Sequence, residues 1–87
     1  MNILILEDEP RNAKRLIRLL NDIDRTFVIE GPLASIKETV EFFQSGKTTN
    51  LILADIRTHH IYHRLRRICG TGIQVQQFRL SLTIGPG

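Results

Sequence analysis

Two short apolar runs that each end in acidic residues constrain the fold of this chain most. Ile3–Leu6 leads directly into an acidic stretch at residues 7–9, and Leu51–Ala54 ends at Asp55. Four apolar residues in a row, closed by a carboxylate, predict a strand buried on both faces, as in a parallel sheet. The carboxyl ends of parallel strands share one edge of the sheet, where ligands bind. The sequence therefore predicts a carboxylate cluster at that edge.

The residues after the first acidic stretch predict an amphipathic helix from Pro10 to about Asp22. Proline is favoured at the first helical position because its missing N–H is not needed there. Apolar and basic residues recur at helical spacing on opposite faces, which predicts one buried and one solvated face. The apolar set is Ala13, Leu16, Ile17, Leu20 and Ile23, and the basic set is Arg11, Lys14, Arg15 and Arg18.

A second strand is predicted at Thr26–Ile29, closed by the breaker pair Gly31-Pro32. A second helix is predicted to follow. With the Leu51–Ala54 run, the order is strand, helix, strand, helix, strand. Alternation at this spacing favours right-handed crossovers and a parallel sheet, so the first half of the chain is predicted to be α/β.

The start and end of the second helix carry recognisable signals. Ser35 and Glu38 have the spacing of a capping box, in which the two side chains satisfy free N–H groups at a helix start. Val40 and Phe43 are predicted to lie on the inner face. Gly46 is predicted to end the helix.

Composition changes abruptly after Arg57. All nine acidic residues of this 87-residue chain lie at or before Asp55, whereas residues 58–87 hold four arginines, all three histidines and no lysine. We therefore divide one small domain into residues 1–57 and a divergent basic tail, 58–87. The single cysteine, Cys69, forms no internal disulfide, and we find no signal segment or membrane span, so we expect a cytoplasmic protein without membrane contact.

The tail supports two interpretations. Thr58–Cys69 and Val75–Ile84 fit one more helix and one more strand, or the tail is poorly ordered, because it contains breaker sequences around Gly70 and Gly85. Helical spacing places three apolar residues on one face of the first segment, and strict alternation marks the second. These residues are Ile61, Leu65 and Ile68 in the helix, and Phe78, Leu80, Leu82 and Ile84 in the strand.

The acidic residues suit a magnesium site. Mg²⁺ prefers oxygen ligands and is typically held by one or two carboxylates. We expect Asp8 to be a direct ligand and Glu7 to assist, with the Arg57 backbone carbonyl completing the shell. Asp55 also contacts the metal, and its remaining oxygen can attack phosphorus to form an aspartyl phosphate. Alternatively, the acids at 7–9 only favour the positive end of the helix that begins at Pro10.

The segments Met1–Pro10 and Leu51–Arg57 resemble the receiver domain of bacterial two-component response regulators. The similarity is greatest to the branch with LytTR-type DNA-binding output domains, and it covers residues 1–57. It implies a flavodoxin-like, doubly wound parallel sheet, with Asp55 as phospho-acceptor and Glu7 and Asp8 as the metal-binding pair. It also implies Mg²⁺ as cofactor and a sensor histidine kinase as partner. DNA contact would come only through an output domain, which this sequence lacks.

The tail departs from the family pattern. Thr58-His59-His60 stands where the family has a glycine-containing loop, and no lysine is present to end strand five. Ser81 or Thr83 is only a weak candidate for the family's hydroxyl residue. The complete fold needs roughly 110–130 residues. We therefore expect a truncated sheet of three to four strands with two to three helices, in a phosphoryl acceptor that is impaired and is not an enzyme.

Other functions remain as alternatives. An incomplete sheet favours an interaction module without phosphotransfer, including a homodimer, because an edge and an apolar face stay uncovered. The carboxylates would also suit a metal-dependent phosphatase. Two weaker signals lie in the tail: a transition-metal site or a nucleic-acid contact. Their residues are His59, His60, His63 and Cys69 for the metal, and Arg64, Arg66 and Arg67 for nucleic acid.

Overall fold

The computed structural model describes residues 1–54, 64–68 and 72–77. Strands and helices alternate along the described chain. The elements are β1 (Asn2–Leu6), α1 (Pro10–Ile23), β2 (Val28–Leu33), α2 (Ile36–Gln44), β3 (Leu51–Ala54), a third helix α3 at residues 64–68, and β4 (Gln74–Gln77). The α/β class expected from the sequence is confirmed, and the four strands and three helices of the described residues agree with the expected three to four strands and two to three helices.

The four strands of the described residues are all parallel and lie in the order β2-β1-β3-β4. The chain leaves β1 for β2 on one side and then crosses to β3 on the other side. The direction of winding therefore reverses between β1 and β3. In open α/β sheets, this reversal opens a crevice at the carboxyl ends of the two strands.

Two apolar clusters cover the two faces of the sheet, as a doubly wound arrangement requires. On one face, Leu4 and Leu6 pack with Phe42 of α2 and Leu65 of α3. Alternate residues of β1, Ile3 and Ile5, point to the opposite face, where they pack with Leu16 and Leu20 of α1. All four apolar residues of β1 are almost completely buried, so β1 is the centre of the core.

The predicted helix ends are largely confirmed. Pro10 begins α1. At α2, the Ser35 hydroxyl accepts a hydrogen bond from the Glu38 N–H at 3.2 Å. The Glu38 carboxylate accepts from the Ala34 N–H, one residue before the position that a standard capping box uses. Gly46 follows the end of α2 with a φ of 89°, a conformation that favours glycine.

The prediction that Gly31-Pro32 closes the second strand is wrong. β2 runs through this pair to Leu33. The pairing of β1 with β2 shifts between Leu4 and Leu6, so the pair lies at a bulge. Among the described strands β2 is an edge, where the missing proline N–H disrupts no ladder.

Three assignments of buried faces also need correction. Ile23 ends α1 with its side chain 71% exposed, because it lies beyond the part of the helix that the sheet covers. In α2 the buried residues are Thr39 and Phe42, whereas Val40 and Phe43 are only partly buried. In β3, alternate residues are buried on the α2 side, but Leu51 and Leu53 are only half-buried on the α1 side. β3 is therefore not fully covered on both faces.

Within its described residues, the tail contributes the expected element types, one helix and one strand. Leu65 is buried on the inner face of α3 and Ile68 is half-buried, as helical spacing predicts. β4 begins at Gln74 and is described to Gln77. The other apolar residues assigned to the tail elements, Ile61, Phe78, Leu80, Leu82 and Ile84, lie outside the described residues.

Candidate functional site at the carboxyl ends of the strands

Glu7 is fixed at the carboxyl end of β1. Its backbone N–H donates to the Leu33 carbonyl at 2.9 Å, which ties the end of β1 to the end of β2. Its side chain is buried, and its carboxylate accepts a hydrogen bond from the Glu9 N–H at 2.8 Å. Glu7 therefore stabilises the backbone that enters α1. This hydrogen bond resembles the alternative role predicted for the acids at 7–9, which is to stabilise the start of the helix that begins at Pro10.

Asp8 and Glu9 are exposed beside this buried carboxylate. Glu9 is the N-cap of α1, and its side chain makes no capping hydrogen bond. The Asp8 carboxylate has no hydrogen-bond or ion-pair partner among the described residues. The carboxylates of Asp8 and Glu9 are thus both open to a cation from solvent, and this exposure is compatible with the direct ligand role predicted for Asp8.

The strand register brings the ends of β1 and β3 together. Leu6, the residue before Glu7, pairs with Ala54, and Ala54 pairs in turn with Gln77 of β4. Asp55 follows Ala54 in the chain. Neighbouring strands lie about 4.8 Å apart, so the last residues of β1 and β3 are immediate neighbours. The candidate site therefore lies at the adjacent carboxyl ends of β1 and β3.

Several predicted site residues lie outside the described residues. They include the proposed phospho-acceptor, Asp55, and Arg57, whose carbonyl was expected to complete the metal shell. The same holds for the possible transition-metal ligands and hydroxyl residues of the tail, namely His59, His60, His63, Cys69, Ser81 and Thr83. Within the described ranges, no group of three or more His, Cys, Asp or Glu side chains is close enough to hold a metal ion.

Asn12 is a buried polar residue near this edge, and it belongs to none of the motifs in the sequence. It lies in the first turn of α1 and is only 8% exposed. Its Oδ1 atom has no hydrogen-bond donor among the residues that the structure describes. A buried acceptor normally has a partner, such as water. The helical spacing of Asn12 with Leu16 and Leu20 is the signal that places it on the inner face.

All three arginines that the sequence offers as a nucleic-acid contact are exposed on α3: Arg64, Arg66 and Arg67. Leu65 of the same helix packs against the α2 side of the sheet. The four basic residues of α1 are also exposed, as predicted. Because α1 covers the opposite face, the basic residues of α1 and α3 do not form one continuous surface.

Comparisons with known proteins add no assignment: no protein-family model, curated protein or solved structure matches this chain. A search for membrane spans finds no helix of sufficient length and apolar character among the described residues.

Proposed function

We propose that this chain is a response-regulator receiver module that accepts a phosphoryl group on Asp55 with Mg²⁺ as cofactor. The observation that supports this most is the pairing of Leu6 with Ala54. It aligns the strand that precedes Glu7 and Asp8 with the strand that precedes Asp55. Asp55 follows Ala54 directly in the chain.

The sheet topology also supports the proposal. The order β2-β1-β3-β4 corresponds to the first four strands of the flavodoxin-like order 2-1-3-4-5. In that order, ligands bind where winding reverses, at the carboxyl ends of the first and third strands. Four of the nine acidic residues follow those two strands in sequence: Glu7, Asp8 and Glu9 after the first, and Asp55 after the third. Fold and residue placement thus favour the same edge.

The proposed reaction is a single phosphoryl transfer. A carboxylate oxygen of Asp55 attacks the phosphorus of a phosphohistidine in line, and an O–P bond forms as the donor's N–P bond breaks. The released imidazole nitrogen keeps the electron pair and takes up a proton. The module is then an acceptor, with a sensor histidine kinase as donor, and does not turn over a separate substrate.

The described residues fit a magnesium ion in part. Asp8 offers an exposed carboxylate with hard oxygen atoms. The buried Glu7 carboxylate already accepts a backbone N–H, so we assign it a role in holding the loop and a contact through water. Asp55 and the Arg57 carbonyl would supply the remaining protein ligands. When bound, Mg²⁺ neutralises negative charge on the phosphoryl oxygens.

The same sequence limits what phosphorylation can cause. No lysine follows Lys47, and no hydroxyl residue is firmly assigned to contact a phosphoryl group. Without an assignable lysine or hydroxyl side chain to respond to the phosphoryl group, differential stabilisation of an active state is small. We therefore propose phosphoryl acceptance with weak conformational switching.

The experiment that tests this proposal is incubation with acetyl phosphate and Mg²⁺, followed by intact-mass measurement and peptide mapping. We expect one phosphoryl adduct, carried by the peptide that contains Asp55, and no adduct when EDTA removes the metal. Asp55→Ala should abolish the adduct, because the nucleophile is gone. Asp22→Ala removes an exposed acid at the far end of α1 and should leave the adduct unchanged. Equal labelling of wild type and Asp55→Ala would refute the assignment.

A further inference from the structure

Asn12 continues the buried row of α1 toward the candidate site. Two residues of this row, Leu16 and Leu20, pack with Ile3 and Ile5 of β1. Asn12 has the same helical spacing, and it lies one turn, about 6 Å, nearer to the start of α1 than Leu16. Because α1 starts where β1 ends, this turn lies at the carboxyl edge of the sheet.

Glu7 reaches the same edge from β1. It follows Ile5 by two residues, which is about 6.6 Å along a strand, and alternation places both side chains on the α1 side of the sheet. Its backbone N–H still pairs with the end of β2, through the Leu33 carbonyl. The Asn12 amide and the Glu7 carboxylate are therefore at similar heights on the α1 side, and these residues are only 8% and 7% exposed.

The side-chain oxygen atoms at the start of α1 are hydrogen-bond acceptors. The Ala13 N–H donates to the Glu9 carbonyl at 3.1 Å, so Asn12 lies about one helical turn from the peptide that joins Asp8 to Glu9. The exposed Asp8 carboxylate, the buried Glu7 carboxylate and the Asn12 amide oxygen thus belong to one short stretch of the fold. Carboxylate and amide oxygens are the groups that surround a hard cation such as Mg²⁺.

The Asn12 Oδ1 atom receives no hydrogen bond from residues 1–54, 64–68 or 72–77. A buried acceptor without a donor lowers stability, because folding removes the water that had bonded to it. Such an acceptor calls for an explanation, and a water or an ion that completes it is one. Mg²⁺ keeps several water ligands in protein sites, and these waters donate hydrogen bonds to nearby acceptors.

We propose that Asn12 is a positioning residue of the magnesium site, whose Oδ1 atom accepts a hydrogen bond from a water molecule bound to the ion. This inference rests on the proposed function, because that function places Mg²⁺ beside Asp8 and Asp55. An acceptor in the outer shell orients the metal-bound water and strengthens binding of the ion. Asn12 is thus expected to contribute to metal affinity and not to the stability of the metal-free protein.

The experiment compares Asn12→Leu with the wild type by isothermal titration with MgCl₂ and by urea denaturation in EDTA. The variant has no side-chain acceptor, so it should bind Mg²⁺ about tenfold or more weakly. In EDTA its urea midpoint should equal or exceed that of the wild type, because no buried acceptor is left without a donor. Asn12→Ala also lacks the acceptor and adds no bulk, so it provides the affinity measurement if the leucine variant does not fold.

Thr49 provides a matched control at the opposite edge of the sheet. It is also buried, but its hydroxyl donates to the Asn2 carbonyl at 3.0 Å. Thr49→Val should therefore show the reverse pattern, a lower urea midpoint with unchanged Mg²⁺ affinity.

Three results would overturn the proposal. If the wild type and Asn12→Leu bind Mg²⁺ equally, Asn12 has no part in the site, although the site itself stands. If both Asn12 variants lose stability in EDTA, the amide oxygen has a partner within the chain. If the wild type binds no Mg²⁺, the proposed metal site itself is refuted, and the role of Asn12 with it.

Discussion

Gly31→Ala is expected to remove about 4 kcal/mol from the free energy of unfolding, which is much of the stability of a small domain. Gly31 lies in β2 with a φ of 98°, a conformation that residues with a side chain rarely adopt. A Cβ atom there would also lie 2.6 Å from the carbonyl oxygen of Ile5, in the central strand. Urea denaturation followed by circular dichroism measures the loss.

Gly46 provides the matched control for this substitution. It has a similar φ of 89°, but no atom lies within 4 Å of the position that a Cβ would occupy. Gly46→Ala should therefore cost only about 1 kcal/mol, from backbone strain alone. The difference between the two variants isolates the contact with Ile5. Equal losses at both glycines would show that β2 does not approach β1 as closely as described.

Asp8→Asn is expected to weaken Mg²⁺ binding by about 100-fold, the second large effect. Asp8 is an exposed carboxylate of the candidate site and the proposed direct ligand, and loss of a direct ligand should cost at least as much as the largest losses, about 100-fold, that follow removal of an outer-shell contact. An amide oxygen keeps the shape of the side chain but not its charge. Isothermal titration with MgCl₂ measures the change directly.

Glu9→Gln is the control for Asp8→Asn, because it removes one negative charge from the adjacent, equally exposed position. We expect its Mg²⁺ affinity to remain within a few-fold of the wild type, since Glu9 is assigned no ligand role and its exposed charge acts on the ion only through solvent of high dielectric constant. If the two variants lose affinity equally, the metal responds to the general charge of residues 7–9. A direct coordination role for Asp8 would then be ruled out.

The central part of the fold follows from local sequence signals. The Ile3–Leu6 run, Pro10 at a helix start and Gly46 after a helix end all have direct physical causes, and the structure confirms them. The sequence pattern ends β2 too early, because glycine and proline usually interrupt a strand, whereas β2 continues through Gly31 and Pro32 to Leu33. A bulge in an edge strand accommodates both residues. The bulge depends on how β2 pairs with β1, which the local sequence of β2 does not show.

Predictions of burial were weaker than predictions of secondary structure. Helical spacing gave the inner face of α1 but not where that face stops, so Ile23 was placed in the core although it is mostly exposed. Leu51 and Leu53 are apolar like their neighbours, yet only half-buried, because burial depends on which helices cover each face. The sequence pattern therefore predicts which face of a helix or strand a side chain lies on, whereas the packing of neighbouring elements determines how much of that side chain is exposed.

For the candidate site, the sequence predicts that Glu7 and Asp8 follow β1 at this edge, but it does not reveal how differently their two side chains are buried. Glu7 and Asp8 are adjacent acids, yet one is buried and holds a backbone N–H while the other is exposed. Asn12 was not selected because nothing in the local pattern distinguishes a buried asparagine from a solvated one. The assignment of Asp55 and of its histidine kinase donor remains a proposal that rests on resemblance and strand register.

Paramagnetic broadening by Mn²⁺, which binds carboxylates much as Mg²⁺ does, tests the central claim most directly. At substoichiometric Mn²⁺, we predict that the amide resonances of Asp8 and Asp55 in the ¹⁵N-labelled protein broaden together. Those of Asp22 and Asp24, about 21 Å away along α1, should stay sharp. Broadening at Asp8 without broadening at Asp55 would contradict the account, because the two acids would then not share one ion.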